Sequence, residues 1–473
     1  MVVSRVTTND IATMSMSFAS VRSALASGFD PVAIAAESSW RAERAGPADF
    51  TSLVPRDVVL ERARKAAARA AQGAALPLLG LTFSVKDNIH VAGMATTANC
   101  PGFAIAPSES AATVLALEEA GAILVGKNTL DQFATGLNGT RSPEPLCRNA
   151  IDPDYIAGGS SSGSAVAVAK DVVAFSLGSD TGGSGRVPAA CNGIVGLKPS
   201  IGLVSGRGLL YNSRFLDCIS IFARTCAEAT EVLQLVAGYD PLDPLSRADV
   251  GALADLADRT PSGEIAVPRR DQLDFEGDDA ARSAHAQNLA RLQALGFSLT
   301  EIDFAPFAEA GRLIFQSALV AERLVDIWDH VGGREHAIHP AVRAAIEPGL
   351  SYSARESFEA LNRMMCFRRL AQTMLAPFEA LVVPTIPTIY TMVDMLAEPL
   401  ARNTVMGRYT SFVNPMDLCA VAVPGTTRRD GLPSSLSFVA RAGRDADMAA
   451  LASRFEATIV DHGSAEGAPI APA

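Results

Sequence analysis

Histidine and charge are both scarce in this chain of 473 residues: there are six histidines, and Asp, Glu, Lys and Arg together make up only 19%. His336 and His339 are three residues apart, but no carboxylate completes an HExxH-type ligand set around them, so neither a metal nor a cofactor is expected. His90, His285, His330 and His462 stand alone, and a nucleophile in this chain has to be activated by something other than imidazole. The cysteines, Cys100, Cys147, Cys191, Cys218, Cys226, Cys366 and Cys419, are scattered without a CxxC pair, which fits reduced thiols rather than a disulfide or zinc framework. Basic residues are short as well: 40 Lys and Arg against 51 Asp and Glu give a net charge of −11. That excludes the broad basic face of a nucleic-acid binder and leaves room for a single arginine that selects an anion. No uncharged apolar run reaches the roughly 18 residues of a membrane span, and the longest, Ala380 to Val393, is broken by Pro384 and Pro387. Met1 to Ser20 carries Arg5, Asn9 and Asp10 and has no continuous apolar stretch, which predicts no secretory leader and a cytoplasmic chain.

What is abundant is apolar sequence, 48%, punctuated by 37 glycines and 27 prolines, a globular composition able to bury an enzyme-sized core. Asp30 to Ala71 reads as mostly helical. Pro77 and Gly80 lead into Leu81 to Lys86, a short apolar run that reads as a strand with Lys86 at its end. A helix over Ala111 to Ala120 stops at Gly121 and a buried strand follows from Ala122 to Val125. Strands are predicted again at Glu264 to Val267, Ser298 to Asp303, Ala380 to Thr385 and Leu436 to Ala440, with helices over Asp279 to Leu295, most of Pro306 to Trp328, and Ala354 to Leu375. There is no internal repeat and no heptad array. The alternation predicts the α/β class and one large domain: a helical segment, 1–75, packed on a core of 76–457, with about 240–349 as an insertion or subdomain and 458–473 as a tail.

The chemistry concentrates between Gly158 and Pro199. Gly158-Gly159-Ser160-Ser161-Ser162-Gly163-Ser164 is followed by a small-residue, helix-like run and then by Gly178-Ser179-Asp180-Thr181-Gly182-Gly183-Ser184-Gly185-Arg186. A flexible linker is the bland reading of such loops, but these are embedded between Ala/Val-rich segments with no polar low-complexity flank. A serine hydroxyl is a poor nucleophile until a base takes its proton. A lysine made neutral by burial can be that base, with a second hydroxyl relaying the proton, and Lys86, Ser160 and Ser184 supply such a set. Consecutive N–H groups over Thr181, Gly182, Gly183 and Ser184 form a candidate nest for an oxyanion.

Val85-Lys86-Asp87-Asn88, the two Gly-Gly-Ser turns 24 residues apart, and the following Pro188-Ala189 and Gly193-Ile194-Val195-Gly196-Leu197-Lys198-Pro199 together resemble the amidase signature family. The resemblance implies a mixed, mostly parallel central sheet covered by helices on both faces. It further implies Ser184 as nucleophile, Ser160 as the relay serine after a cis peptide bond, Lys86 as base, Asp180 as a support for the loops, and a homodimer. Within that family, Leu130-Asp131-Gln132-Phe133-Ala134-Thr135-Gly136, Gly139-Thr140-Arg141-Ser142-Pro143, Val320-Ala321-Glu322-Arg323, Pro384 to Tyr390 and Phe412-Val413-Asn414 are similar to the allophanate hydrolase branch, from about residue 75 to 457. That branch implies a small ureido acid as substrate, its carboxylate met by Arg323 with Gly136 close by; a buried, fork-shaped guanidinium suits a planar carboxylate. The competing reading of Arg323 is a helix-surface residue paired with Glu322 or Asp326. Arg186 reads as structural.

Two departures bear on the substrate. Where the branch has a substrate-binding tyrosine, this chain has Phe315, which lacks the phenol O–H, and Glu144-Pro145 replaces the usual Tyr-Gly after Pro143. The resulting expectation is an amidase that releases ammonia from a small carboxylated amide or ureide. The alternatives are a hydrolase of bulkier aryl or alkyl amides, a component of a glutamine-dependent amidotransferase, and a catalytically retired binding protein.

Overall fold

The computed structural model describes residues 11–249 and 263–463. The proposed tail, 458–473, thus lies largely outside the described residues, as do the first ten residues of the N-terminal segment. Eleven strands form one sheet: β1 (Phe50–Leu53), β2 (Thr82–Lys86), β3 (Ile123–Asn128), β4 (Phe175–Asp180), β5 (Val195–Lys198), β6 (Cys218–Ala223), β7 (Glu264–Pro268), β8 (Ser298–Ile302), β9 (Ala380–Pro384), β10 (Leu418–Pro424) and β11 (Ser435–Arg441). Their order is β1-β3-β2-β4-β6-β5-β10-β11-β9-β7-β8.

The α/β class and the mixed sheet are as expected, but the strands are not mostly parallel. Parallel pairing is confined to β3-β2-β4 and β9-β7-β8, where helices cross over between strands. The middle, from β4 through β6, β5, β10 and β11 to β9, is antiparallel throughout, as is β1 on β3. β7 and β8, from the 240–349 stretch, extend the same sheet. The Asp30 to Ala71 region is not one helical run: β1 interrupts it between helices Pro31–Ala45 and Arg56–Ala71.

Side-chain alternation divides the core between the two faces of the sheet. On β9 and β11, Val382, Leu436, Phe438 and Ala440 join the larger core with the helices at Phe18–Ala26, Pro31–Ala45, Cys226–Val236 and Asp445–Gly463. Leu381, Val383 and Val439 point the other way, against Phe307 and Ala310 of helix Ala305–Leu313 and Ala371 of helix Ala354–Met374. The same alternation on β2 sends Phe83 and Val85 into the larger core. It leaves Ser84 and Lys86, both fully buried, on the opposite face beside helix Ser162–Ala169, and so places the base candidate inside the molecule, among hydroxyls. None of the described helices is long and apolar enough to cross a membrane.

Candidate active site

Lys86 ends β2 with its side chain fully buried. Its Nζ donates to Ser160 Oγ at 2.7 Å and to Ser179 Oγ at 2.9 Å. Burial pushes its ammonium down to about 7, against the opposing pull of Asp217, Asp131 and Asp180. Near neutral pH this lysine is therefore about half deprotonated, the condition a general base requires. Ser160 follows a cis peptide bond from Gly159, as the family resemblance implies.

The turn after β4 carries Ser184. Its scaffold is the buried pair Asp180–Arg186: Arg186 Nη2 and Nε each meet the carboxylate at 2.9 Å, and further bonds run to Thr410 O and Asn414 Oδ1. Burial alone acts to raise the Asp180 carboxyl, but Arg186 holds it below its usual value. The carboxylate also accepts the N–H groups of Gly183 and Gly185 at 2.9 Å, and Thr410 and Ser411 hydroxyls hold Gly182 O at 3.0 and 3.1 Å. Arg186 is thus the structural residue its sequence context predicts, and Asp180 is the loop support. Gly183 N–H is engaged by Asp180, whereas the N–H groups of Gly182 and Ser184 donate to no described residue. The candidate oxyanion cradle of Thr181 to Ser184 therefore loses only the Gly183 N–H, which Asp180 engages. The Ser184 hydroxyl is likewise without a hydrogen-bond partner among the described residues, and the side chain is buried.

A third loop, Asp131 to Arg141, abuts the Ser160 turn. Asp131 accepts the N–H groups of Asn138, Gly139 and Arg141 at 2.9–3.3 Å, and Asp131 N–H donates to Ser160 O at 3.1 Å. A Cβ added at Gly136 would lie 2.3 Å from Asp131 Oδ2, and one at Gly159 2.1 Å from the same oxygen. Both positions exclude a side chain, and Gly136 is fixed beside the relay turn.

Phe315 and Arg323 close the other side. The Phe315 ring lies 3.6 Å from where a Gly182 Cβ would be, and the Arg323 guanidinium sits 5.4 Å from the centre of that ring. Arg323 is only 5% exposed, and burial pushes its guanidinium down to about 10. It has no carboxylate within 4 Å among the described residues. The two acids that would make it a surface residue are taken elsewhere: Glu322 accepts from Ser213 Oγ and Arg214 N–H, and Asp326 pairs with Arg214 at 2.7 Å. The surface-pair reading of Arg323 therefore fails. Val320 to Arg323 lies not on an α-helix but on a 3₁₀ stretch, Ala318–Leu324, which follows the break after helix Ala305–Leu313. Phe315 also lines a cleft of about 190 Å³ with Gly311, Gln316, Gly407 and Ser411. Glu144, the other departure, is exposed and lines a separate hollow with Asn99 and Phe103. Among the described residues no three His, Cys, Asp or Glu side chains converge on a metal site.

A model of the family named Amidase matches residues 38–448. The chain belongs to the amidase signature family. It is similar to the urea amidolyase of Saccharomyces cerevisiae, 38% identical over 392 residues that cover 82% of this chain and 21% of that protein. The chain therefore spans about a fifth of that relative's length. The indoleacetamide hydrolase of Pseudomonas savastanoi is 31% identical over 395 residues, covering 78% of this chain and 81% of that one. Among solved structures, Kluyveromyces lactis allophanate hydrolase superposes with a TM-score of 0.86 at 32% identity, over 94% of this chain and 73% of that chain. Family membership makes the chain an amidohydrolase and accounts for the turns around Lys86, Ser160 and Ser184.

Two residues of this candidate site were not singled out from sequence. Ser179 lies inside the second signature turn, yet only the structure shows its hydroxyl on Lys86. Asp217, just before β6, carries no motif of its own. The antiparallel register that sets Asp180 opposite Cys218 brings it against Thr181, whose hydroxyl donates to Asp217 Oδ1 at 2.5 Å.

Proposed function

We propose that this amidase hydrolyses the C–N bond of a small carboxylated amide or ureide of the allophanate type, releasing ammonia. The observation that carries the reading is Arg323, a buried guanidinium with no carboxylate within 4 Å among the described residues, facing the ring beside the Ser184 turn. Taking a charge out of water costs several kcal/mol unless a partner is supplied, and a substrate carboxylate is that partner. The Gly136 loop forms the adjoining wall.

The reaction runs through this chain's own groups. Neutral Lys86 takes the Ser160 proton while Ser160 takes the Ser184 proton, and Ser184 Oγ bonds to the carbonyl carbon. The N–H groups of Thr181, Gly182 and Ser184 hold the oxyanion, with Gly183 kept in place by Asp180. As the C–N bond breaks, the proton returns from Lys86 through Ser160 to the departing nitrogen, which leaves as ammonia. Water then adds to the acyl-serine along the same relay and frees the acid.

Ammonia release from freshly prepared allophanate, malonamate, biuret, glutamine and malonamide tests the reading. Preference for allophanate and malonamate is expected; preference for malonamide with allophanate ignored refutes it. One observation favours a second reading, a hydrolase of bulkier amides: the Phe315 ring is 37% exposed at the cleft and offers apolar surface where a phenol would bind a polar ureide. The division into 1–75, 76–457 and a tail, and assembly as a homodimer, are proposed with this function; limited proteolysis and sedimentation equilibrium decide them.

A further inference from the structure

We infer that Asp217 is the positioning residue that ties carboxylate recognition to the oxyanion turn, and that it takes up a proton when an anionic substrate docks on Arg323. The inference rests on the carboxylate role of Arg323 given above.

Asp217 sits where three walls of the site meet. Oδ1 accepts the Thr181 hydroxyl at 2.5 Å, and Oδ2 accepts the N–H groups of Asn212 at 2.6 Å and Ser213 at 3.2 Å. Two arms extend from that short loop. Asn212 Nδ2 donates to Phe133 O and Thr135 Oγ1, next to Gly136. Ser213 Oγ and Arg214 N–H hold Glu322, next to Arg323. The oxyanion turn, the Gly136 loop and the Arg323 segment thus hang from one carboxylate.

Its electrostatics are unusual for a buried acid. Asp217 is 5% exposed, and no Lys or Arg nitrogen lies within 4 Å of it among the described residues. Burial pushes its carboxyl up to about 6, against the bonds from Thr181, Asn212 and Ser213, with Glu322 adding to the rise. At longer range Asp217 is the foremost acid acting on both Arg323 and Lys86. The other ionisable groups around it are Tyr211, Cys218, the Arg214–Asp326 pair and the self-contained Asp180–Arg186 pair. Asp217 and Arg323 therefore balance each other at a distance. A substrate carboxylate on Arg323 brings a second anion into the same buried region, and two anions there do not both stay ionised. The substrate's is held by the guanidinium, so the solvent proton goes to Asp217 Oδ1. The Thr181 hydroxyl turns from donor to acceptor, and the two N–H bonds on Oδ2 remain.

The test is calorimetric binding of malonamate and neutral malonamide to Ser184→Ala, in buffers of different ionisation enthalpy between pH 6 and 8. Malonamate is expected to take up a fraction of a proton and to bind more tightly as pH falls, by at most about tenfold per pH unit for one linked proton; malonamide does neither. Asp217→Asn in the same background removes the uptake and flattens the slope, while Lys86→Met leaves both. Uptake that survives Asp217→Asn, or disappears in Lys86→Met, assigns the proton elsewhere and overturns the inference. Should Asp217→Asn not fold, malonamate binding without uptake in Ser184→Ala alone overturns it, with the Arg323 reading intact. If malonamate binds no better than malonamide, the Arg323 reading itself falls.

Discussion

Ser179→Ala is the perturbation that separates a lysine base from a lysine that merely fills space. Lys86 Nζ has two hydroxyl partners, and the Ser179 bond, at 2.9 Å, is the one not on the proposed relay. A hydrogen bond to a charged group contributes about 1.5–3 kcal/mol, and one pKa unit corresponds to about 1.4 kcal/mol. Losing the bond disfavours the protonated amine, so the Lys86 value of about 7 moves down. Water entering the vacated space recovers part of the loss, and the expected shift is about one unit. The direction is opposite to ordinary damage. The base is neutral above its own value, so the acid limb of kcat/KM moves from about pH 7 to about pH 6, and the neutral fraction at pH 7 rises from about half to about nine-tenths. The plateau falls several-fold, because Lys86 keeps one anchor instead of two. The assay is the pH profile of ammonia release from malonamide, a neutral substrate with no carboxylate for Arg323, measured beside the same profile for the unaltered chain so that the Asp217 titration is common to both. A midpoint that stays near 7 or rises, or a loss equal at every pH, refutes Lys86 as the titrating base.

Ser184→Ala should lower hydrolysis by about 10³-fold or more while circular dichroism and the melting temperature stay near those of the unaltered chain. Arg323→Ala should raise KM for malonamate about 10–100-fold, the worth of a charge-assisted hydrogen bond, and for malonamide less than about threefold; equal losses on both would remove Arg323 from the carboxylate role. Phe315→Tyr should raise kcat/KM on allophanate by about two- to tenfold, the net value of one neutral hydrogen bond, and an unchanged ratio of allophanate to malonamide would show that position 315 does not read the ureide. Arg186→Met leaves Asp180 buried without its partner and should cost about 3–5 kcal/mol of stability in denaturant titration; a loss under about 1 kcal/mol would contradict the structural assignment.

The sequence announces the parts of the site that are local in the chain. Lys86 at a strand end and the two Gly-Gly-Ser turns are legible because each function occupies a run of neighbours whose residue types are otherwise hard to justify. What stays hidden depends on pairing between distant segments. β1 is four residues between two helices, and only its antiparallel match to Gly126–Asn128 makes it a strand. Asp217 becomes part of the site through the β4–β6 register, which no residue near 217 specifies. Arg323 had two readings from sequence, and burial removes the surface one. The mostly parallel sheet came with the family resemblance and not from periodicity, which supports only the α/β class; the antiparallel middle is set by pairing between segments distant in the chain, such as β4 with β6 and β5 with β10.

The Asp131 carboxylate, wedged against both Gly136 and Gly159, has a consequence for how enzymes on this scaffold diversify. The loop that would flank a substrate and the turn that carries the relay serine share one rigid support, and a methyl group at either glycine would drive into it. Mutational drift on that side is closed, because any remodelling for a new substrate would also displace Ser160. New specificities are more readily written on the opposite wall, in the stretch from Phe315 to Arg323, and that is where one of this chain's two departures, Phe315, lies.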